Sequence, residues 1–141
     1  MKCKLRLGSL LIAGLVFGAT PALALPILGG LWKFELFSNT TGSADRSPVG
    51  SFCFNFAAAA SPFSDIGGTF SSPGVAGWNG SWIQQGDQIK IWGSIGTFAT
   101  VYQGTLITAD RMSGYYQHYT TGGPGGAFSG ALWGQKVTTC Q

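Results

Sequence analysis

His118 is the only histidine in the 141-residue chain, and it is therefore the one side chain whose ordinary pKa lies close to neutrality. It follows Met112 and Tyr116 at even spacing in a stretch that alternates as a β-strand, so it shares their apolar face. From the end of that strand, a ring nitrogen could hydrogen-bond a ligand at the open end of a closed sheet. An ordinary strand-end histidine is the simpler interpretation.

The five carboxylates show no spacing that would support catalysis. Asp87 and Asp110 lie in predicted hairpin turns, where aspartate commonly bonds the local backbone. Asp45 and Asp65 lie in predicted loops, and Glu35 lies on the polar face of a predicted strand. No serine has a G-x-S-x-G context, and the "GGPGG" run lacks the lysine of a phosphate-binding loop. We therefore expect a non-enzymatic protein without catalytic residues, metal ligands or cofactor.

The beginning of the chain has the organisation of an export signal over residues 1–24. Positive side chains in residues 2–6 precede an apolar run, Leu10–Thr20, that is too short to span a bilayer comfortably. Ala22 and Ala24 then provide the small residues of a cleavage site, which predicts one domain over residues 25–141 in the periplasm or outside the cell. An uncleaved membrane anchor is the alternative.

The overall charge of +3 comes from that segment. Three of the eight basic residues lie in it, which leaves five basic and five acidic residues in 25–141. The remaining basic residues are scattered singly, so we expect no nucleic-acid partner. We also expect no stable membrane span in the exported domain.

Two cysteines remain after Cys3 is removed with the signal. Cys53 and Cys140 are too far apart for a CxxC redox motif or a metal-ligand pair. In an oxidising compartment a disulfide between them would close a long loop, which is worth roughly 4 kcal/mol in the chain-entropy model. Two free thiols are the alternative.

Alternation and turn residues predict an all-β domain of about eight strands joined mostly by short turns. The predicted strands are 31–37, 51–57, 69–72, 77–84, 88–93, 98–107, 111–119 and 127–137. Such a meander favours an antiparallel up-and-down barrel, because closure removes the exposed sheet edges.

Glycines recur in phase with the large residues of these strands. The repeat is Trp78-x-Gly80-x-Trp82, Tyr102-x-Gly104-x-Leu106, Met112-x-Gly114-x-Tyr116 and Phe128-x-Gly130-x-Leu132. Glycine on the concave face of a narrow barrel permits sharp bending and close approach of the strands. We interpret these glycines as barrel-coiling residues, with a generally glycine-rich composition as the alternative.

The same phase predicts an apolar inner face and a polar outer face with exposed exceptions at Trp92, Tyr115 and Trp133. The predicted inner residues are Trp32, Phe34, Leu36, Phe52, Phe54, Phe56, Trp78, Trp82, Ile89, Ile91, Tyr102, Leu106, Met112, Tyr116, Phe128 and Leu132. If the interior is hollow, a ligand would be lined by Trp32, Trp78, Trp82, Tyr102, Tyr116 and His118. If it is filled, function lies on the loops.

The G-x-W tripeptide Gly30-Leu31-Trp32 opens the first predicted strand, as it does in lipocalins and avidin-type proteins. With eight meandering strands in a short exported chain, the sequence resembles this calycin group. The resemblance implies a barrel that binds a small apolar or ring-containing ligand at its mouth. Lipocalins also place an arginine near the end of the last strand to pack on the tryptophan, where this chain offers only Lys136.

Three functional classes follow from these observations. The first is an exported binding barrel for a small apolar or aromatic ligand. The second is a structural or adhesive surface protein that acts through the 38–50, 58–67 and 120–126 loops and the exposed aromatic residues. The third is a small outer-membrane barrel, which the short strands and polar outer face disfavour.

Overall fold

The computed structural model describes residues 28–38, 47–59, 66–120 and 128–140. The predicted export signal and most of each of the three predicted functional loops lie outside the described residues. Within the described part of the chain, no helix is long and apolar enough to cross a membrane.

Eight antiparallel strands close into a barrel in simple sequence order, which confirms the predicted fold class. The strands are β1 (Gly30–Ser38), β2 (Gly50–Ala59), β3 (Ile66–Ser71), β4 (Asn79–Gln85), β5 (Gln88–Ile95), β6 (Phe98–Thr108), β7 (Arg111–Thr120) and β8 (Phe128–Lys136). β8 pairs with β1, so no strand edge is left open. Gly86 takes a positive φ of 62° in the β4–β5 turn, as its sequence context predicts.

β3 begins three residues earlier than the sequence predicts. Gly67 and Gly68 read as a strand breaker, yet they pair with Ala59 and Ala58 of β2 on one side and with β4 on the other. A Cβ atom on Gly68 would overlap the carbonyl oxygen of Ala57. Close packing between the strands therefore requires glycine at this position.

The barrel has two ends, which we name after a buried residue at each. The Leu28 end is where β1 begins, and it carries the β4–β5 and β6–β7 turns. The His118 end is the opposite one, where β7 ends and β4 and β6 begin. Because neighbouring strands are antiparallel, successive strands begin at alternate ends of the barrel.

The predicted inner face forms the core with two exceptions. Phe52 is only half-buried, and Phe128 is 63% exposed, so the prediction for Phe128 was wrong. Phe128 is the first residue of β8, at the rim of the barrel, where alternation no longer places a side chain against a packed layer. Phe70 of β3 and Leu28 join the core instead.

Aromatic rings fill the centre of the barrel. The ring of Phe54 on β2 lies 5.7 Å from that of Tyr102 on β6, a strand on the opposite wall. Phe34 on β1 packs on both, with centroid distances of 5.4 and 5.7 Å. These contacts reach from wall to wall, so the middle layer is solid.

The glycines of β6 and β7 allow two strands to approach closely, as the coiling interpretation predicts. Gly104 and Gly114 lie directly opposite each other. A Cβ atom on Gly114 would come within 2.5 Å of the Gly104 Cα and would overlap the Gln103 carbonyl oxygen. Only glycine fits without moving the backbone.

The predicted disulfide between Cys53 and Cys140 is present. Beyond β8 the chain continues beside β1, where the Val137 amide donates to the Leu31 carbonyl over 2.9 Å. It then reaches Cys53 on β2. The bridge thus ties the last residues of the chain across the seam where the barrel closes.

Candidate ligand-binding site

All six residues predicted to line a ligand are buried, but they do not form one site. Trp78, Tyr116 and His118 lie toward the His118 end, and Tyr102 connects them to the barrel centre. Trp32 and Trp82 belong to the Leu28 end. Their indole nitrogens donate to backbone carbonyls, Trp32 to Gly29 over 3.2 Å and Trp82 to Ala57 over 3.1 Å. These bonds give both indoles a structural role.

An aromatic cage surrounds His118. The five rings of the cage belong to Phe52, Trp78, Phe98, Tyr102 and Tyr116, with centroids 4.9–6.2 Å from the imidazole. Strand alternation places Tyr116 and His118 on the same face of β7, and Tyr102 is the register partner of Tyr116 on β6. The cage is therefore built mainly by strand register.

Trp78 is held in the cage by the connection before β4. The Trp78 amide donates to the Val75 carbonyl over 3.2 Å, and its carbonyl accepts from the Ser72 amide over 2.9 Å. Gly77, which precedes it, has a φ of 82°, a left-handed conformation that favours glycine. This turn directs the indole against Phe52 and Phe54, at 4.8 and 5.1 Å.

The imidazole makes one polar contact inside the cage. His118 Nε2 lies 2.9 Å from the Tyr102 hydroxyl oxygen, and the tautomer decides which group donates. Burial lowers the pKa of His118 to about 4 and raises the pKa of Tyr102 well above its usual value. Both groups are neutral at pH 7, so the cage presents no charge from these side chains.

Three buried polar atoms near the cage have no hydrogen-bond partner among the described residues. They are Ser72 Oγ, Trp78 Nε1 and Thr100 Oγ1. Thr100 is the register partner of His118, and Ser72 is bonded to Trp78 through the backbone, so the three belong to one neighbourhood. The Thr100 side chain is close enough to the Tyr102 hydroxyl to offset part of the effect of burial on the pKa of that hydroxyl. Unpartnered buried polar groups are rare in folded proteins, and here they coincide with an aromatic cage.

The sequence prediction missed Ser72 and Thr100. Thr100 shares the phase of Tyr102 along β6, so alternation alone could have placed it inside. The prediction assigned only apolar side chains to the interior, and a buried hydroxyl leaves no signal in a hydrophobic pattern. Ser72 is the last residue of the predicted strand 69–72 and shares the phase of Phe70, although β3 ends one residue before it in the structure.

Two surface grooves lie mainly on the outer wall of β6, β7 and β8, and the smaller of them is also bordered by Tyr116 of the cage. They have volumes of about 570 and 310 Å³, and both are bordered by Gln103 and Tyr115. Tyr115 is 71% exposed and Trp92 is 41% exposed, as predicted, whereas Trp133, the third predicted exposed aromatic residue, is half-buried. Among the described residues, no three His, Cys, Asp or Glu side chains are grouped so as to hold a metal ion.

No protein-family model, curated protein or solved structure matches this chain. Its resemblance to calycins is supported at the level of architecture, by the closed antiparallel barrel of eight strands. Lys136 is the register partner of Trp32 across the closure, at the place where the resemblance implies an arginine. The chain thus shares a barrel layout with lipocalins and avidin-type proteins.

Proposed function

We propose that this protein is an exported, non-enzymatic binding barrel that holds a small aromatic or apolar ligand at its His118 end. The observation that carries the proposal is that Ser72 Oγ, Trp78 Nε1 and Thr100 Oγ1 are buried without a partner among the described residues, in side chains that belong to the aromatic cage or neighbour it. The bound ligand would contact the cage rather than occupy the barrel centre, because the Phe34, Phe54 and Tyr102 rings pack there.

The unpartnered atoms define the chemistry of the ligand. A buried polar group without a hydrogen bond costs about 1–3 kcal/mol, and a ligand that bonds it recovers that energy on binding. Trp78 Nε1 can only donate, whereas the Ser72 and Thr100 hydroxyls can donate or accept. We infer a ring-bearing ligand with at least one acceptor atom at its edge.

The ligand is expected to be uncharged. His118 is neutral at pH 7, and the other cage residues are aromatic and neutral as well. An anion would leave water without a counter-ion in this setting, which is strongly unfavourable, and a cationic group could not accept a hydrogen bond from Trp78 Nε1.

Export is supported by the signal-like residues 1–24 and by the Cys53–Cys140 disulfide, because disulfides persist mainly in oxidising compartments. The outer wall bears charged side chains, including Lys33 and Glu35, whose charged groups lie 3.3 Å apart. Most of the large apolar side chains of the strands pack inside. This arrangement favours a barrel with a water-facing exterior over the outer-membrane class.

Native mass spectrometry of residues 25–141, purified without detergent from the exporting host, tests the proposal. We expect a mass above that of the bare chain which disappears on denaturation. Trp78→Phe should lose the added mass, whereas the control Trp32→Phe should retain it. A bare-chain mass for the wild type, together with no shift on soaking with aromatic compounds, would contradict the proposal and favour a surface protein acting through its loops.

A further inference from the structure

We propose that the outer wall of β6, β7 and β8 is a separate binding surface for a neutral carbohydrate. The surface consists of the two grooves that share Gln103 and Tyr115, and we name it the Tyr115 face. It lies on the opposite side of the sheet from the cage, because Tyr115 and Tyr116 point to opposite faces of β7. The inference goes beyond the proposed function and does not rest on it.

The Tyr115 face has the shape of a shallow cleft with an aromatic ridge. Tyr115 is 71% exposed and borders both grooves, which places its ring between them. The backbones of Gly104 and Gly114 contribute to the lining of the larger groove. Volumes of about 570 and 310 Å³ are in the range of small-molecule sites.

Neutral side chains line both grooves throughout. The larger groove has Phe37, Tyr115 and Trp133 as its aromatic residues and Gln88, Gln103 and Thr105 among its polar ones. The smaller groove adds Gln117 and Ser129. No lysine, arginine, aspartate or glutamate lines either groove, so a phosphate, a nucleic acid or an acidic polymer would find no counter-charge there.

This combination matches the chemistry of a neutral sugar ring. One face of a pyranose presents C–H groups, which pack on an exposed aromatic ring. Its edges present hydroxyl groups that both donate and accept, as amide and hydroxyl side chains do. Gln103 and Gln117 are exposed beside Tyr115 and could bond those edges. A protein partner would prefer a larger continuous apolar centre than these grooves, in which aromatic and polar side chains are mixed, provide.

Retention on immobilised polysaccharides tests the inference. Wild-type protein is passed over the neutral polymers cellulose, chitin, β-1,3-glucan and starch, with heparin and pectate as charged polymers. We expect retention on at least one neutral polymer that persists at about 1 M NaCl, where ionic attraction is screened. Tyr115→Ala and Gln103→Ala should each weaken it by about tenfold, a change of 1.4 kcal/mol in binding free energy.

Tyr119→Ala is the matched control, because Tyr119 lies on the same strand and face, is also exposed and borders neither groove. It should leave retention unchanged, as should Trp78→Phe, which separates this surface from the cage. The inference is overturned by retention on charged polymers only, by equal losses in Tyr119→Ala and Tyr115→Ala, or by no retention on any neutral polymer. Self-association that Tyr115→Ala abolishes would also overturn it, since a second copy would then cover the face.

Discussion

The buried polar groups at the two ends of the barrel differ in whether they are hydrogen-bonded. At the Leu28 end, Gln84 is 2% exposed, and its amide accepts from the Leu28 backbone over 2.8 Å and donates to Gly86 over 2.7 Å. The turn carbonyls of Asp87 and Asp110 accept from the neighbouring strands, each over 2.8 Å. At the His118 end, three buried polar atoms have no partner among the described residues.

The contrast separates an end whose buried polar groups are hydrogen-bonded from the end at which we propose binding. Satisfied polar groups fix the Leu28 end in one arrangement, whereas unpartnered groups at the His118 end keep hydrogen-bonding capacity for another molecule. A binding site commonly costs stability in the free protein, and under the proposed function that cost falls on the His118 end.

The largest effect on stability is expected from removing the Cys53–Cys140 disulfide, which crosses the seam where the barrel closes. Cys140→Ser should lower the free energy of unfolding by about 4 kcal/mol, because the disulfide closes a long loop in the unfolded chain. Urea denaturation compares the variant with the wild type. Alkylation of Cys53 and Cys140 in the native wild-type protein without reductant would contradict the disulfide itself.

The glycine pair in the wall between the ends should be nearly as sensitive. Gly114→Val should destabilise the fold by about 3 kcal/mol, since the new side chain meets the backbone of Gln103 and Gly104. Gly104→Val should cost more than about 1 kcal/mol for the same reason. Gly74→Val is the control, because a Cβ atom there meets nothing within 4 Å. Near-neutral substitutions at both wall positions would contradict the coiling interpretation.

Acid should destabilise the His118 end in particular. The folded protein holds His118 at a pKa of about 4, whereas the unfolded chain protonates it near 6.5, so the unfolded state binds more protons between these values. The contribution of His118 to the free energy of unfolding is therefore complete above pH 6.5 and is lost as the pH drops toward 4. The difference in the His118 pKa between the folded and unfolded states corresponds to up to about 3 kcal/mol in the free energy of unfolding. Allowance for solvent screening near the rim reduces this to about 2 kcal/mol.

Chemical denaturation at pH 7 and pH 4 measures this loss, and His118→Gln is the control that removes the titrating group. The wild type should lose about 2 kcal/mol more than the variant. An equal loss in both proteins would show that His118 is not protected from protonation in the folded state.

Replacing each of the two indoles by a phenyl ring tests the difference between the two ends directly. Trp82→Phe and Trp78→Phe remove similar volumes from buried sites, but only Trp82 loses a hydrogen bond. In ligand-free protein, Trp82→Phe should therefore be the more destabilising by about 2 kcal/mol. Equal free energies of unfolding would mean that Trp78 Nε1 is satisfied, and the contrast between the ends would disappear.

The sequence predicts most of the fold because alternation and turn residues act locally. Strand number, closure, the Cys53–Cys140 pairing and nearly all inner residues follow from period two and from cysteine arithmetic. The prediction that Phe128 is buried is wrong because its exposure depends on where the rim lies, which is a property of the closed barrel. The predicted start of β3 is wrong because the extended conformation of Gly67 and Gly68 is stabilised by pairing with the neighbouring strands rather than by their own β-propensity.

The site is less predictable than the fold. The phase of β7 places His118 beside Tyr116, but the division of the six predicted residues between two ends depends on the tilt and closure of the barrel. Buried hydroxyls such as that of Thr100 are recognised only when their surroundings are known, since hydropathy assigns them to the surface.

The most direct test of the binding end is a high-resolution crystal structure of the protein purified from its exporting host. We predict non-protein density against the aromatic cage, with an acceptor atom within hydrogen-bond distance of Trp78 Nε1 and a polar atom near Thr100 Oγ1. The account would be contradicted if the same side chains bonded one another or ordered water alone, because the His118 end would then be as fully satisfied as the Leu28 end.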